Sequence, residues 1–192
     1  MSDFYLYFET GWHHIISWDA LDHILFITAL SAIYMIQNWR QLLVLVTAFT
    51  IGHSLTLALS VYDVFRFNDQ WVEFLIPCTI VITGLYNFSV KERNKQSLQL
   101  NYLLALLFGL IHGMGFANTI RFMLAKDQGI AWPLISFNIG LEVGQIALVA
   151  ILMLAGYLVI RLVGLKQKWW IWALSGVSII IATNMAADRW PL

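Results

Sequence analysis

Five ionisable side chains lie inside long apolar stretches of this sequence: Asp22, His23, His53, His112 and Glu142. An ionisable group within a bilayer is energetically costly, and such residues almost always face the protein interior or a water-filled cavity. Three imidazoles with two carboxylates form a donor set that suits divalent zinc, nickel, copper or iron. The residue types therefore predict a metal site enclosed by membrane-spanning helices.

Each of these residues also has a purely structural interpretation. A single histidine in a membrane helix can hydrogen-bond to a neighbouring helix. Asp22 and His23 can form a pair at the membrane surface, and Glu142 can be protonated and bonded to a carbonyl group. Five such independent cases at similar depth are a less economical explanation than one shared site.

The neighbours of these residues indicate how such a site is built. Asp22 and His23 diverge by about 100° on a helix, so both bind one ion only from a bent or terminal turn. Otherwise one of them orients the imidazole of the other from outside the ligand shell. We expect Ser54, Asn138 and Gln145 to surround the ligands, since Ser54 follows His53 and the other two share a helix face with Glu142.

The composition indicates which kind of fold carries the site. Of the 192 residues, 60% are hydrophobic and only 11% are charged, and the mean hydropathy is +0.74. A soluble domain of this size needs more charge to cover its surface. We therefore predict an all-α, polytopic membrane helix bundle, with residues 1–192 forming a single transmembrane domain. The expected partners are membrane lipids and a metal ion; zero net charge gives no indication of nucleic acid, and no partner protein is indicated.

Polar breaks divide the chain into about six transmembrane spans of sufficient length. The predicted spans are Trp18 to Ile36, Gln41 to Val61, Trp71 to Phe88, Leu98 to Leu124, Ala131 to Leu162 and Trp169 to Ala187. The segment before Trp18 is expected to form a seventh, short helix at the membrane interface.

The distribution of basic residues predicts the orientation. The connections after the first, third and fifth spans carry Arg40, Lys91, Arg93, Lys95, Arg161, Lys166 and Lys168, whereas the opposite side holds Arg66, Arg121, Lys126 and Arg189. The more basic side should be cytoplasmic. Both termini are then expected outside the cytoplasm.

Helix geometry places the five ionisable residues at similar depth. At about 1.5 Å rise per residue, His53 and His112 lie about 18 and 21 Å from the cytoplasmic starts of their spans. By the same rise, Glu142 lies about 16 Å from the outer start of its span. Asp22 and His23 enter from the outside. Four helices thus supply side chains to the middle-to-outer half of the membrane.

Four segments of the chain resemble the HupE/UreJ family of bacterial membrane proteins. They are His14 with Asp22-His23-Ile24-Leu25-Phe26, Phe49-Thr50-Ile51-Gly52-His53-Ser54, Phe108-Gly109-Leu110-Ile111-His112-Gly113 and Phe137-Asn138-Ile139-Gly140-Leu141-Glu142. The resemblance covers nearly the whole chain. It implies six or so helices and the handling of a divalent metal, usually nickel, and it adds His14 to the candidate ligands.

The chain departs from the related nickel-permease pattern at two positions. Those permeases carry a histidine six residues before the Asp-His pair, where this chain has Ile16, and the nearest histidine is His14. They also carry a glutamate seven residues after the histidine of the fourth span, where this chain has Thr119; Glu142 is a candidate substitute. These departures point to a divergent branch in which the bound ion is Ni²⁺ or Zn²⁺.

Three functions are compatible with these residues. The first, favoured by the resemblance, is a divalent-metal permease or metal-capture protein. The second is a membrane-embedded zinc hydrolase, in which three histidines leave a fourth position for water and Glu142 or Asp22 is the general base. The third is a non-catalytic assembly factor with a structural metal. Whether the protein is an enzyme stays open at this point.

Overall fold

The computed structural model describes residues 3–64, 67–89, 95–124, 129 and 131–191. Within this part of the chain there are seven α-helices and no strand. The helices are α1 (Asp3–Ile16), α2 (Leu21–Ser31), α3 (Trp39–Val61), α4 (Asp69–Ser89), α5 (Lys95–Leu124), α6 (Ala131–Arg161) and α7 (Gln167–Asp188). The prediction of an all-helical polytopic bundle is confirmed. The predicted loop residues Arg66, Lys91, Arg93 and Lys126 lie outside the described residues.

Five helices, α3 to α7, are long and apolar enough to cross a membrane. Their bounds agree with the last five predicted spans to within three residues. The first predicted span, Trp18 to Ile36, contains a shorter helix than expected. The apolar helix α2 has 11 residues, about 16 Å at 1.5 Å per residue, which is about half of a hydrocarbon core of about 30 Å.

A break in the chain separates α2 from the N-terminal helix. Ser17 is extended, with φ −73° and ψ 155°, and a 3-10 turn at Trp18–Ala20 leads into α2. The predicted N-terminal helix is present as α1, but it packs lengthwise along the first half of α6. Phe4 contacts Trp132 at the start of this contact, and Ile15 lies against Gly144 at its end. The two helices are therefore parallel.

Helix α2, which follows the break, runs in the same direction as α1. Asp22, in the first turn of α2, lies beside Arg189 just after α7. A hydrogen bond joins the other end of α2 to the end of α4: the side-chain amide of Asn87 donates to the carbonyl of Ala29. Together, α1 and α2 form one discontinuous path through the bundle.

Two close helix pairs complete the framework. Helices α3 and α5 run parallel, because Phe49 lies against Gly109 and His53 against Gly113. Helices α4 and α7 run antiparallel, because Phe74 contacts Trp190 and Phe88 contacts Trp172. We call the end where α1, α4 and α6 begin and α7 ends the site end, and the opposite end the far end.

Candidate metal centre

Three imidazoles from three helices converge in the site-end half of the bundle. His14 comes from the last turn of α1, His23 from the first turns of α2 and His53 from α3. One ligand nitrogen of each lies within 4.8 Å of the other two. With zinc–nitrogen bonds of about 2.0–2.1 Å, two nitrogens on one ion are at most about 4.2 Å apart. Small side-chain rotations therefore suffice to place all three around one ion.

The carboxylate of Asp22 fixes the orientation of His23. Its Oδ1 lies 2.9 Å from Nδ1 of His23 and also accepts the backbone N–H of His23 at 2.8 Å. Since a carboxylate accepts hydrogen bonds, Nδ1 carries the proton and Nε2 has the free lone pair. These two contacts hold the imidazole of His23 against the carboxylate of Asp22.

His112 on α5 lies beside this trio with its tautomer also fixed. Its ring centre is 5.1 Å from that of His23. Thr79 donates its hydroxyl hydrogen to the carbonyl of Ile76, so its 3.0 Å contact with Nε2 of His112 has the histidine as donor. Nδ1 of His112 is then the nitrogen with a lone pair, and it is buried without a hydrogen-bond partner.

The imidazoles carry an unusual number of unpartnered nitrogens. The buried nitrogens without a hydrogen bond are Nε2 of His14, Nε2 of His23, both ring nitrogens of His53 and Nδ1 of His112. Leaving such a group unsatisfied costs about 1–3 kcal/mol each. A cation bound among them would satisfy several at once, so these residues fit a transition-metal ion.

Aromatic side chains enclose the imidazoles. Phe116 and Phe137 lie against His14, with ring centres 4.0 and 5.7 Å away. Phe26 lies 5.2 Å from His112. An apolar shell of this kind limits water access and strengthens electrostatic interactions at a metal site.

A polar cavity of about 240 Å³ connects the imidazoles with charged residues at the site end. His14, His23 and His112 line it, together with Glu73 and Arg189. Nη1 of Arg189 lies 3.0 Å from Glu73 and 3.7 Å from Asp22. The contact with Glu73 is a charge–charge pair without hydrogen-bond alignment, since Nη1 makes no hydrogen bond. Arg189 thus lies between the carboxylates of Glu73 and Asp22 in the wall of the cavity.

Sequence comparison identifies the family. A family profile described as HupE / UreJ protein matches residues 1–189. The chain belongs to the HupE/UreJ family. No curated protein and no solved structure matches the chain significantly.

The family is associated with nickel and cobalt transport, and the histidine cluster of this HupE/UreJ protein fits that association. The match covers nearly the whole chain, as the resemblance of the four segments implies.

Not every candidate ligand of this HupE/UreJ protein lies at the imidazoles. Glu142 is half-buried, and its Oε1 accepts a hydrogen bond of 2.7 Å from Thr47 on α3. It is not among the residues whose ligand atoms lie within 4.8 Å of one another. The structure therefore places Glu142 in a separate polar pair between α3 and α6.

The three residues expected around the ligands have different environments. Gln145 is fully buried and accepts a 2.7 Å hydrogen bond from Thr50, three residues before His53. Asn138 has a buried side-chain oxygen without a hydrogen bond. Ser54 is half-buried. Gln145 and Thr50 thus form a second polar contact along the α3–α6 seam.

Sequence reasoning did not identify Thr79, Glu73 and Arg189 as parts of the site. Glu73 and Arg189 lie at the ends of their spans, where charged residues are common and do not by themselves indicate a functional site. Thr79 is one of several hydroxyl residues in apolar helices, which often bond only to their own backbone. The one available signal was that Glu73, Arg189 and Asp22 are all predicted at the outer ends of spans.

Proposed function

We propose that this HupE/UreJ protein binds a divalent transition metal, Ni²⁺ or Zn²⁺, and carries it across a bacterial inner membrane. The proposed ligands are His14, His23 and His53, with His112 beside them and Asp22 orienting His23. The observation that carries the proposal is the convergence of unpartnered, buried imidazole nitrogens from four helices.

Glu142 lies outside the proposed ligand set. The partner of Glu142 is Thr47, and the imidazoles are not in contact with it through any described hydrogen bond or ion pair. We therefore propose that Glu142 stabilises the α3–α6 contact and that the metal is held without it.

The proposed orientation has the site end outside the cytoplasm. Arg161 lines a far-end cavity with Ile36 and Gln167, so two chain connections, α2–α3 and α6–α7, meet at that end. Lys168 packs on Trp172 and Arg40 on Trp39, the aromatic and basic pattern of a cytoplasmic interface. The cavity at the imidazoles then takes up metal from the outside.

The test is the metal content of purified protein after loading with nickel or zinc. We expect about one ion per chain in the wild type and loss of the ion in His53→Ala, because His53 supplies the deepest ligand. The matched control is Glu142→Gln, which removes an intramembrane carboxylate away from the cluster and should keep its ion. A full metal content in His53→Ala would contradict the proposal.

A zinc hydrolase using the same site is the second candidate. The favouring observation is the polar cavity that opens next to three imidazoles, where a metal-bound water has room and Glu73 is a nearby carboxylate. Metal uptake into proteoliposomes separates the two functions: a permease moves ions into the lumen, whereas a hydrolase only binds them.

A further inference from the structure

A second cavity lies on the far-end side of the imidazoles, on the three helices that carry His23, Thr79 and His112. It has a volume of about 60 Å³ and is lined from α2, α4 and α5. Leu30 lies seven residues after His23, Tyr86 seven after Thr79, and Ala105 seven before His112. At a rise of 1.5 Å per residue, the lining residues of each helix lie about 10 Å closer to the far end than the site residue on that helix. We call this space the lower cavity and the one at Arg189 the upper cavity.

Two phenylalanines separate the lower cavity from the imidazoles. Phe26 and Phe108 line its upper boundary, and their ring centres are 6.0 Å apart. Phe26 also stacks on Phe49 at 4.8 Å and contacts His112 at 5.2 Å. All three phenylalanines are buried. The upper and lower cavities are therefore divided by a closed aromatic layer.

The wall of the lower cavity is mostly apolar, and its far-end boundary includes a few polar side chains. Asn101 on α5 donates a hydrogen bond of 3.2 Å to the hydroxyl of Tyr34. Asn87 on α4 donates to the carbonyl of Ala29 and to Ser175. Neutral oxygen atoms bind nickel and zinc more weakly than imidazole does, so an ion that has left the histidines would not be retained here.

We propose that the upper cavity, the histidine cluster and the lower cavity form one transport path, with Phe26 and Phe108 as its closed inner gate. This inference rests on the proposed transport function and adds the route and the gating residues. A constriction of apolar side chains excludes water and so blocks an ion without any charge. The structure then corresponds to a state open towards the site end, and transport requires the two phenylalanines to part.

The path follows the alternating-access scheme of secondary transporters. A single ion site near the middle of the membrane is exposed to each side in turn. The site lies where α1 and α2 are interrupted, as in transporters whose discontinuous helices hold the ion. Movement of α2 relative to α5 would separate Phe26 from Phe108 and expose His112 to the lower cavity.

The experiment combines cysteine labelling with metal uptake in proteoliposomes. The native Cys78 is replaced by serine, and Thr83→Cys places a thiol of similar size in the wall of the lower cavity. A small, membrane-impermeant thiosulfonate reagent is added from the site end. We expect little labelling in this background and roughly tenfold faster labelling when Phe108→Ala is added, equivalent to about 1.4 kcal/mol off the barrier.

The matched control is Leu107→Ala, one residue away on α5 and facing outwards, with 42% of Leu107 exposed. Nickel binding serves as the folding check, and Phe26→Leu is the milder second variant if Phe108→Ala loses the ion. Equal labelling rates in the gate variants and in Leu107→Ala would refute the gate. By contrast, if the wild type binds nickel and fails to take it up, the transport function itself is wrong and the path with it.

Discussion

At the scale of single residues, the site depends on which imidazole nitrogen is free. In His23 the Asp22 carboxylate holds the proton on Nδ1, and in His112 the Thr79 hydroxyl holds it on Nε2. The free nitrogens are therefore Nε2 of His23 and Nδ1 of His112, and both are buried without a partner. In the proposed site the orienting groups would therefore matter as much as the ligands.

Asp22→Asn tests this orienting role. The amide has the same shape, but it accepts hydrogen bonds less strongly and can present its NH₂ group to the imidazole. We expect metal affinity to fall roughly 10- to 100-fold, as for other outer-shell partners of metal-binding histidines. The measurement is a nickel or zinc titration by calorimetry. The control Glu9→Gln changes an exposed carboxylate paired with His13 and should bind metal like the wild type; unchanged affinity in Asp22→Asn would argue against the role.

The sequence makes the histidines candidate ligands for a definite physical reason. An ionisable residue in an apolar span stands out against its neighbours, and His23, His53 and His112 do so. The partner of such a residue depends on how helices are rotated against each other, which hydropathy does not encode. The sequence therefore predicted that Glu142 points inwards, but could not indicate that its hydroxyl partner is Thr47.

At the scale of elements, close helix contacts set the distance between the imidazoles. A Cβ at Gly113 of α5 would collide with the carbonyl of His53 and the hydroxyl of Thr56 on α3. Hence α3 and α5 approach closely enough for His53 and His112 to share one region. The small-residue spacing around His112 has this function in the structure.

Gly113→Ala should therefore destabilise the protein and weaken metal binding together. Overpacking of this kind costs about 1–3 kcal/mol, because the backbone has to move. Gly176→Ala is the matched control, since a Cβ at that helical glycine meets nothing within 4 Å. Thermal unfolding in detergent, with and without nickel, measures both effects. Equal midpoints for the two variants would show that the α3–α5 contact tolerates the added atom.

The break between α1 and α2 is the element that the sequence did not reveal. Hydropathy predicts a span from Trp18 to Ile36 because it averages over many residues. The interruption at Ser17 and the following 3-10 turn accompany the packing of α1 against α6, through Gly11 at Phe137 and Gly140 at Phe8. Those long-range contacts bring His14 to His23, and no local pattern encodes them.

At the scale of the whole molecule, the proposed orientation has a direct test. Reporter fusions after Leu165, between α6 and α7, and after Leu192 should give opposite signals, with Leu165 in the cytoplasm. The reason is the group of basic residues near Leu165, which includes Arg161, Lys166 and Lys168. A cytoplasmic signal from the Leu192 fusion would reverse the orientation and place the upper cavity on the inner side.

The packing of α1 on α6 also has a consequence for biosynthesis. Proteins are made from the N-terminus, so His14 leaves the ribosome early, whereas α6, which positions it, is synthesised only after α2, α3, α4 and α5. A nascent chain that stops before α6 has His23, His53 and His112 but lacks the helix against which α1 is anchored. The proposed ligand His14 can thus be anchored only after α6 has been synthesised. We therefore expect a chain that stops before α6 to lack the complete set of proposed ligands.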